Sequence, residues 1–237
     1  VASETYTTTS APIQYAAVHA FNFGEDMVEY LFHARRVLRA IAGLMPLTTG
    51  RVSVDGTVFE DTATGEYVPP ERRNLGFVFQ EALLFPHMTV LDNVAAGLRF
   101  TGTSRLIARA RAREWLARIG IDELADAMPV MLSGGQAQRV ALTRALASGP
   151  RVLLLDEPLS ALDVATRADV RRELRRHLAS FDGIRLLVTH DPIDALALAD
   201  RLVVLERGHV VQSGSSLDVT AEPRSRYVAD FVGVNWL

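Results

Sequence analysis

The sequence predicts an α/β protein built on a mixed sheet, with an antiparallel β part and an inserted helical section. Three observations carry this. Two short apolar runs, VLLLD from Val152 and RLLVTH from Arg185, are each followed by helical pattern, the signature of strand–helix–strand units in a parallel sheet. Two other stretches read as hairpins: Val52, Val54 and Val58 alternate around Asp55-Gly56, and DRLVVLERGHVVQSG turns at Arg207-Gly208. Roughly Leu91 to Ser148 is mostly helical in pattern.

Residues 1–36 carry no strong pattern; Thr, Ser and Ala dominate the first dozen, and Gln14 to Phe23 is the stretch that can form a strand. The chain begins with Val rather than Met, which marks a trimmed or incomplete start. From Val37 the texture changes. Leu38, Ile41, Ala42 and Leu44 recur at helical spacing, and Gly43 with Pro46 marks the stop. LGFVFQ supplies a strand, Leu75 to Phe79, ending at Gln80. Ser104 caps a helix through Ile119, with Leu106, Ala110, Leu116 and Ile119 on or near one face and an arginine stripe of Arg105, Arg109 and Arg113. The Arg-rich segment Arg167 to Leu178 forms the helix between the two apolar strands. Both arginine sets read as solvated faces.

The 237 residues, 49% hydrophobic and 22% charged, suffice for one large α/β domain or two small ones. A net charge of −3 and a pI near 6.1, with no aromatics among the arginine stripes, point away from nucleic acid. With no cysteine, disulfides and thiolate chemistry are excluded. Thr5 to Gly24, the longest uncharged segment, is too polar to span a bilayer and lacks the basic start and apolar core of a secretory signal, so a soluble, cytoplasmic chain is expected. All 25 Lys-plus-Arg residues are Arg. No residue can therefore serve as a phosphate-loop lysine.

The chemistry-bearing residues sit at strand ends and one helix start. The run Val152 to Leu155 delivers Asp156 and Glu157 to the carboxyl end of a buried strand, where open α/β sheets bind ligands. One carboxylate can hold Mg²⁺ and its neighbour can orient or deprotonate a water; an Asp capping the next helix is the competing reading. Leu132-Ser133-Gly134-Gly135-Gln136 runs straight into helix, so two glycines, a hydroxyl and a helix N-terminus can meet an anion. Ser133 as an ordinary N-cap competes there. His190 and Gln80 each end a strand, and each alone is more often just a satisfied polar residue.

Taken in order, Gln80, LSGGQ, LLLDEP, SALD and THD resemble an ABC transporter ATP-binding subunit from Val37 to Leu237. That resemblance implies an ABC-type P-loop NTPase fold with ATP and Mg²⁺ as cofactors. It implies a Q-loop glutamine at Gln80, which touches Mg²⁺ or the attacking water, and a signature loop at Ser133, Gly134, Gly135 and Gln136, which contacts ATP held mainly by the opposite subunit. It further implies a Mg²⁺ ligand at Asp156, a general base at Glu157, a D-loop aspartate at Asp163 and a γ-phosphate contact at His190. The implied partners are a second ABC ATPase subunit, transmembrane permease subunits and, indirectly, a periplasmic or extracellular solute-binding protein, with no nucleic acid. The implied location is the inner face of the cell membrane. VPPERRNLGFVFQEALLFPHMTVLDNV is most similar to importers of oxyanions and iron, molybdate-type ATPases nearest, and PRSRYVADFVGVNWL resembles the join to a C-terminal regulatory β-domain.

One part of the family pattern has no counterpart. Aligned backward from Leu38 to Gly43, a GxxxxGK(S/T) loop would place its glycines on Val28 and His33, its lysine on Ala34 and its hydroxyl on Arg35. Arg35 and Arg36 bring guanidinium but neither a glycine nest nor a Mg²⁺ hydroxyl. The aromatic that stacks on adenine is sought at Tyr15 or Phe21. The expected organisation is an atypical segment 1–36, replacing the first strands and the phosphate loop, and a nucleotide-binding domain 37–237 with a helical subdomain at about 91–148. Either Gln14 to Phe23 is pressed into the central strand, beside VLLLD, or this lobe is poorly ordered; helix or coil is expected over 28–34 and a helix from about Arg36 to Leu44. The functional expectation is an importer ATPase subunit. The alternatives are a non-hydrolysing subunit that lends its LSGGQ to a partner, a defective gene product, and an ABC protein of DNA repair or translation.

Overall fold

Why a weakly patterned stretch becomes a strand is answered by its neighbours. In the computed structural model the described residues are 14–19, 26–206 and 208–233, with 14–19 and 26–33 described as backbone alone. In chain order the elements are β1 (Gln14–His19), α1 (Asp26–Ala42), β2 (Arg51–Val54), β3 (Thr57–Asp61), β4 (Glu66–Tyr67), β5 (Leu75–Val78), α2 (Val90–Phe100), α3 (Arg105–Ile119), α4 (Gly134–Ala147), β6 (Val152–Asp156), α5 (Val164–Ala179), β7 (Ile184–Thr189), α6 (Pro192–Leu198), β8 (Arg201–Glu206), β9 (His209–Ser215), α7 (Ser216–Ala221) and α8 (Arg226–Val232). They form two compact units, Val1–Leu75 with Asp182–Leu237, and Gly76–Phe181.

In the first unit, strands run in the order β7, β1, β8, β9. β1 is parallel to both neighbours, Ala16 opposite Leu187 and Leu202, and β8 pairs antiparallel with β9, so the sheet is mixed. Leu187, Val188, Leu202 and Val204 are buried. Their strands need a partner between them, because an unpaired buried backbone group costs about 1–3 kcal/mol. That demand recruits Gln14–His19 in spite of its pattern. Both edges of β1 are taken by β7 and β8, which corrects the expectation that it lies beside VLLLD. Residues 20–23 of the expected strand, Phe21 among them, lie outside the described residues, as does the side chain of Tyr15.

α1 starts at Asp26, ten residues before the expected boundary, and crosses residues 36 and 37 without a break. It ends at Ala42 because Gly43 turns left-handed (φ 74°), with its N–H on the Ala40 carbonyl at 3.0 Å and the Leu44 N–H on the Arg39 carbonyl at 2.8 Å. Leu44 therefore falls outside the helix and is exposed. Arg73, 1% exposed, grips this end. Its Nη1 donates to the carbonyls of Ala40 (2.8 Å) and Ile41 (2.9 Å), its Nε to Val68 O (2.6 Å), and its Nη2 lies 3.4 Å from Glu60 Oε2. The guanidinium thus reaches the Ile41 carbonyl at the helix end and adds a second donor to that of Ala40. β2 and β3 meet at Asp55 (φ 48°) and Gly56 (φ 78°), the two positive φ values that a two-residue hairpin needs.

In the second unit, Val94 and Leu98 of α2, Ala112 and Leu116 of α3, and Val140 of α4 share one core. The buried face of α3 is Ala108, Ala112, Leu116 and Ile119. The expected face was rotated: Leu106 is 83% exposed and Ala110 is also in solvent. Small side chains at Ala108 and Ala112 let α3 approach its neighbours closely, so the alanines rather than Leu106 take the core. Ser104 precedes α3 without a side-chain cap, and Arg109 of the arginine stripe pairs with Asp92. β5 neighbours β6, whose five residues are all buried. A Cβ on Gly76 of β5 would stand 3.0 Å from both the Ala145 carbonyl and Leu153 Cδ1, so any larger residue would have to push its neighbours back.

Candidate functional site

The site begins where β6 ends. Asp156 is its last residue, and Glu157, 2% exposed, follows in the left-handed region at φ 44°. A non-glycine residue there costs about 1–2 kcal/mol, and such strain gathers at functional sites. The turn is fixed by Ser160, whose N–H (3.2 Å) and hydroxyl (3.0 Å) both donate to the Glu157 carbonyl. Two adjacent, buried carboxylates at a strand terminus fit a hard divalent cation with a neighbouring base for water.

The start of α4 is the second part. Ser133 Oγ accepts from the Gln136 N–H at 3.3 Å, and Gln136 Oε1 accepts from the Ser133 N–H at 2.9 Å. Ser133 is therefore a true N-cap in a capping box, which leaves the anion-binding reading intact. Ser133 and Gly134 are exposed, and first-turn N–H groups have no intrahelical acceptor. Gly135 is buried, and a Cβ there would come within 2.7 Å of Thr166 Cγ2. A Cβ on Gly134 would stand 3.8 Å from the Ala161 carbonyl and 3.9 Å from Leu162 Cδ2, so the loop lies beside the 161–166 stretch. Asp163 N-caps α5, accepting from the Thr166 N–H at 3.1 Å. That backbone bond first, then the Thr166 hydroxyl, holds its carboxyl below the usual range. Arg139 of α4 meets Glu173 of α5 at 2.9 Å, tying the two helices together.

Gln80 lies two residues beyond β5, half-buried, in the same unit as Asp156, Glu157, Asp163 and Ser133–Gln136. His190 immediately follows β7 in the other unit. Next to it, Asp191 donates its N–H to Thr189 Oγ1 (3.1 Å) and caps α6 by accepting from the N–H groups of Ile193 (2.8 Å) and Asp194 (3.2 Å). Sequence reasoning missed Asn93, fully buried on α2. An amide side chain set among Val90, Leu91, Val94 and Ala95 was the available signal. Residues 28–35, where the backward alignment sets a phosphate loop, lie inside α1 and are helical.

Residues 36–160 match the family description "ABC transporter". The chain belongs to the ABC transporter family. Its mixed α/β architecture fits the P-loop NTPase fold of ABC proteins. This ABC chain is 46% identical over 198 residues to the spermidine/putrescine import ATP-binding protein PotA of Roseobacter denitrificans, covering 83% of the chain and 53% of that protein. It is 45% identical over 202 residues to the molybdenum import ATP-binding protein ModC of Mycobacterium tuberculosis, 84% and 55% respectively. For the Fe(3+) ions import ATP-binding protein FbpC of Rhizobium etli the identity is 43% over 196 residues, 83% and 54%. The ABC chain thus spans about half the length of the curated relatives it matches. Among the described residues, no helix is long and apolar enough to cross a membrane.

Proposed function

We propose that this chain is the ATP-binding subunit of an ABC importer, coupling ATP binding and hydrolysis to solute uptake. The observation that carries the reading is the buried Asp156–Glu157 pair, with Glu157 held left-handed at the end of β6. In this reading Asp156, with Gln80, holds Mg²⁺, and Glu157 takes a proton from the attacking water. His190 donates to the terminal phosphate. Ser133, Gly134, Gly135 and Gln136 offer N–H and hydroxyl donors to ATP bound by a second ABC subunit, and Asp163 lies beside them. Mg²⁺ held by Asp156 and Gln80 would polarise the phosphoanhydride of ATP for attack by that water. The partners are that second subunit, permease subunits in the membrane and, through them, a solute-binding protein. The chain then works on the inner face of the membrane. Molybdate or a similar oxyanion is the proposed cargo. The relatives named for polyamine, molybdenum and iron import differ in cargo charge, which supports the view that cargo is read by partners.

A second reading is favoured by the absence of lysine and by the helix over 28–35. Here the segment 1–36 replaces the phosphate loop, and the chain lends its signature loop to a competent partner without hydrolysing ATP itself. One experiment separates the two. The chain is mixed with a relative that keeps GxxxxGK(S/T) but whose own signature serine is replaced by Arg. Turnover in the mixture, lost on Ser133→Arg, supports the trans role. Turnover by this chain alone supports the first reading without the second. No turnover in either case refutes both.

A further inference from the structure

We propose that Arg144 is a positioning residue: its guanidinium ties α4, which begins at the signature loop, to the segment after Gln80, so that both are set by one rigid body. The proposal rests on the ATPase reading only for what Gln80 and Ser133 do. The tie itself is geometric. Arg144 lies in the last turn of α4. Its Nη1 donates to the Leu83 carbonyl at 2.9 Å and its Nη2 to the Ala82 carbonyl at 3.0 Å. The planar fork thus holds two consecutive peptide groups, which a lysine cannot do. The same guanidinium carbon stands 5.3 Å from the centroid of the Phe85 ring. Burial pulls the Arg144 pKa down from its ordinary value.

What the fork holds is strained. Leu83 is left-handed at φ 42° and is 54% exposed as a residue. A solvent-facing leucine gains little packing in return for that conformation, so the backbone must be imposed from outside. Asn93 imposes the downstream part. Its Oδ1 accepts from the Phe85 N–H at 2.8 Å, and its Nδ2 donates to the carbonyls of Phe85, Met88 and Thr89, each at 3.1 Å. Residues 85–89 are therefore fastened to α2, while Ala82 and Leu83, nearer Gln80, are fastened to α4. Within this unit the position of Gln80 follows the helix that carries Ser133 at its other end.

The test is hydrogen exchange on the full chain, comparing wild type with Arg144→Ala and Arg144→Lys. Loss of charge-assisted bonds to two carbonyls should speed exchange at residues 81–85 roughly ten-fold or more in Arg144→Ala. Arg144→Lys should give an intermediate increase, and amides inside α2 and α4 should exchange as in wild type. Unchanged exchange at 81–85 overturns the proposal, and so does equal acceleration across 76–181, which would mark Arg144 as merely structural. If Arg144→Ala does not fold, Arg144→Lys decides by the same pattern. In the mixture with the signature-deficient relative, Arg144→Ala should lower kcat about ten-fold with KM within about two-fold. Faster exchange at 81–85 with kcat unchanged overturns the positioning role. A wild-type mixture without turnover refutes the ATPase reading, and the exchange pattern then still decides the tie.

Discussion

Two stretches of this chain that the proposed function sets against phosphate, the start of α4 and residues 28–35, are built in opposite ways. At α4 a helix begins: Ser133 caps it, Gly134 is open to solvent, and Gly135 packs so closely on Thr166 that a Cβ would fall 2.7 Å from its methyl group. At residues 28–35 the helix that runs from Asp26 to Ala42 is under way, and from residue 30 on it is past its first turn. The difference is one of backbone accounting. First-turn N–H groups lack intrahelical partners and can meet an anion, whereas those further along are consumed by the i−4 carbonyls. On the proposed reading the same secondary structure therefore leaves donors for a phosphate at the start of α4 and pairs them off further along α1.

The comparison breaks most decisively on turnover. On the second reading the purified chain should hydrolyse ATP at or near background, on the order of 10³-fold or more below a relative with GxxxxGK(S/T), because phosphate positioning and charge stabilisation would be lost together. Phosphate release at several per second, abolished by Glu157→Gln, would erase the contrast between the two stretches. A smaller effect sharpens the α4 side. Ser133→Arg should reduce turnover in the mixture with the signature-deficient relative by about 10²-fold, the scale of losing a preorganised donor; an unchanged rate removes the trans role. Next comes packing. Gly135→Ala forces its methyl against Thr166 and should destabilise the chain by about 1–3 kcal/mol in urea unfolding, while Gly134→Ala, with nothing nearer than 3.8 Å, should cost less. Equal midpoints for the two variants would mean the close approach at Gly135 is relieved by movement of α5.

The smallest effect concerns Asp163. Its carboxyl is held below the ordinary range by the Thr166 N–H and hydroxyl. A depressed folded-state pKa adds stability above the unfolded carboxylate value and loses it as pH falls through the folded value. Asp163→Ala should therefore lower Tm at neutral pH, and the gap to wild type should close as pH drops through and below the carboxylate range. A gap independent of pH would assign the loss to packing rather than to the charged cap.

Much of this was legible in the residues. The runs VLLLD and RLLVTH became β6 and β7, and Asp55-Gly56 became the hairpin turn, because each is local: an apolar run of strand length, or two residues that accept positive φ. Leu106 failed for the opposite reason. Helical spacing names a face but not which neighbour will cover it, and the approach of α3 selected Ala108 and Ala112 instead. The acceptors of Asn93 and Arg144, at 82–89, were not legible, since they lie in a loop whose path no periodicity describes.

Residue order alone sets the chemistry along the chain: a glutamine after one strand, serine and two glycines at a helix start, an acid pair after another strand, and no lysine anywhere. Residue type and spacing suffice for that, because each group's reactivity is its own. Tertiary structure decided the rest. It drew Gln14–His19 into the gap between β7 and β8, where two ladders of buried peptide groups outweigh a poor pattern. It also turned Glu157 left-handed and held Leu83 so under the Arg144 fork. Backbone strain is local, but the hydrogen bonds and packing that sustain it come from residues far away in the chain, and only the folded molecule brings them within reach.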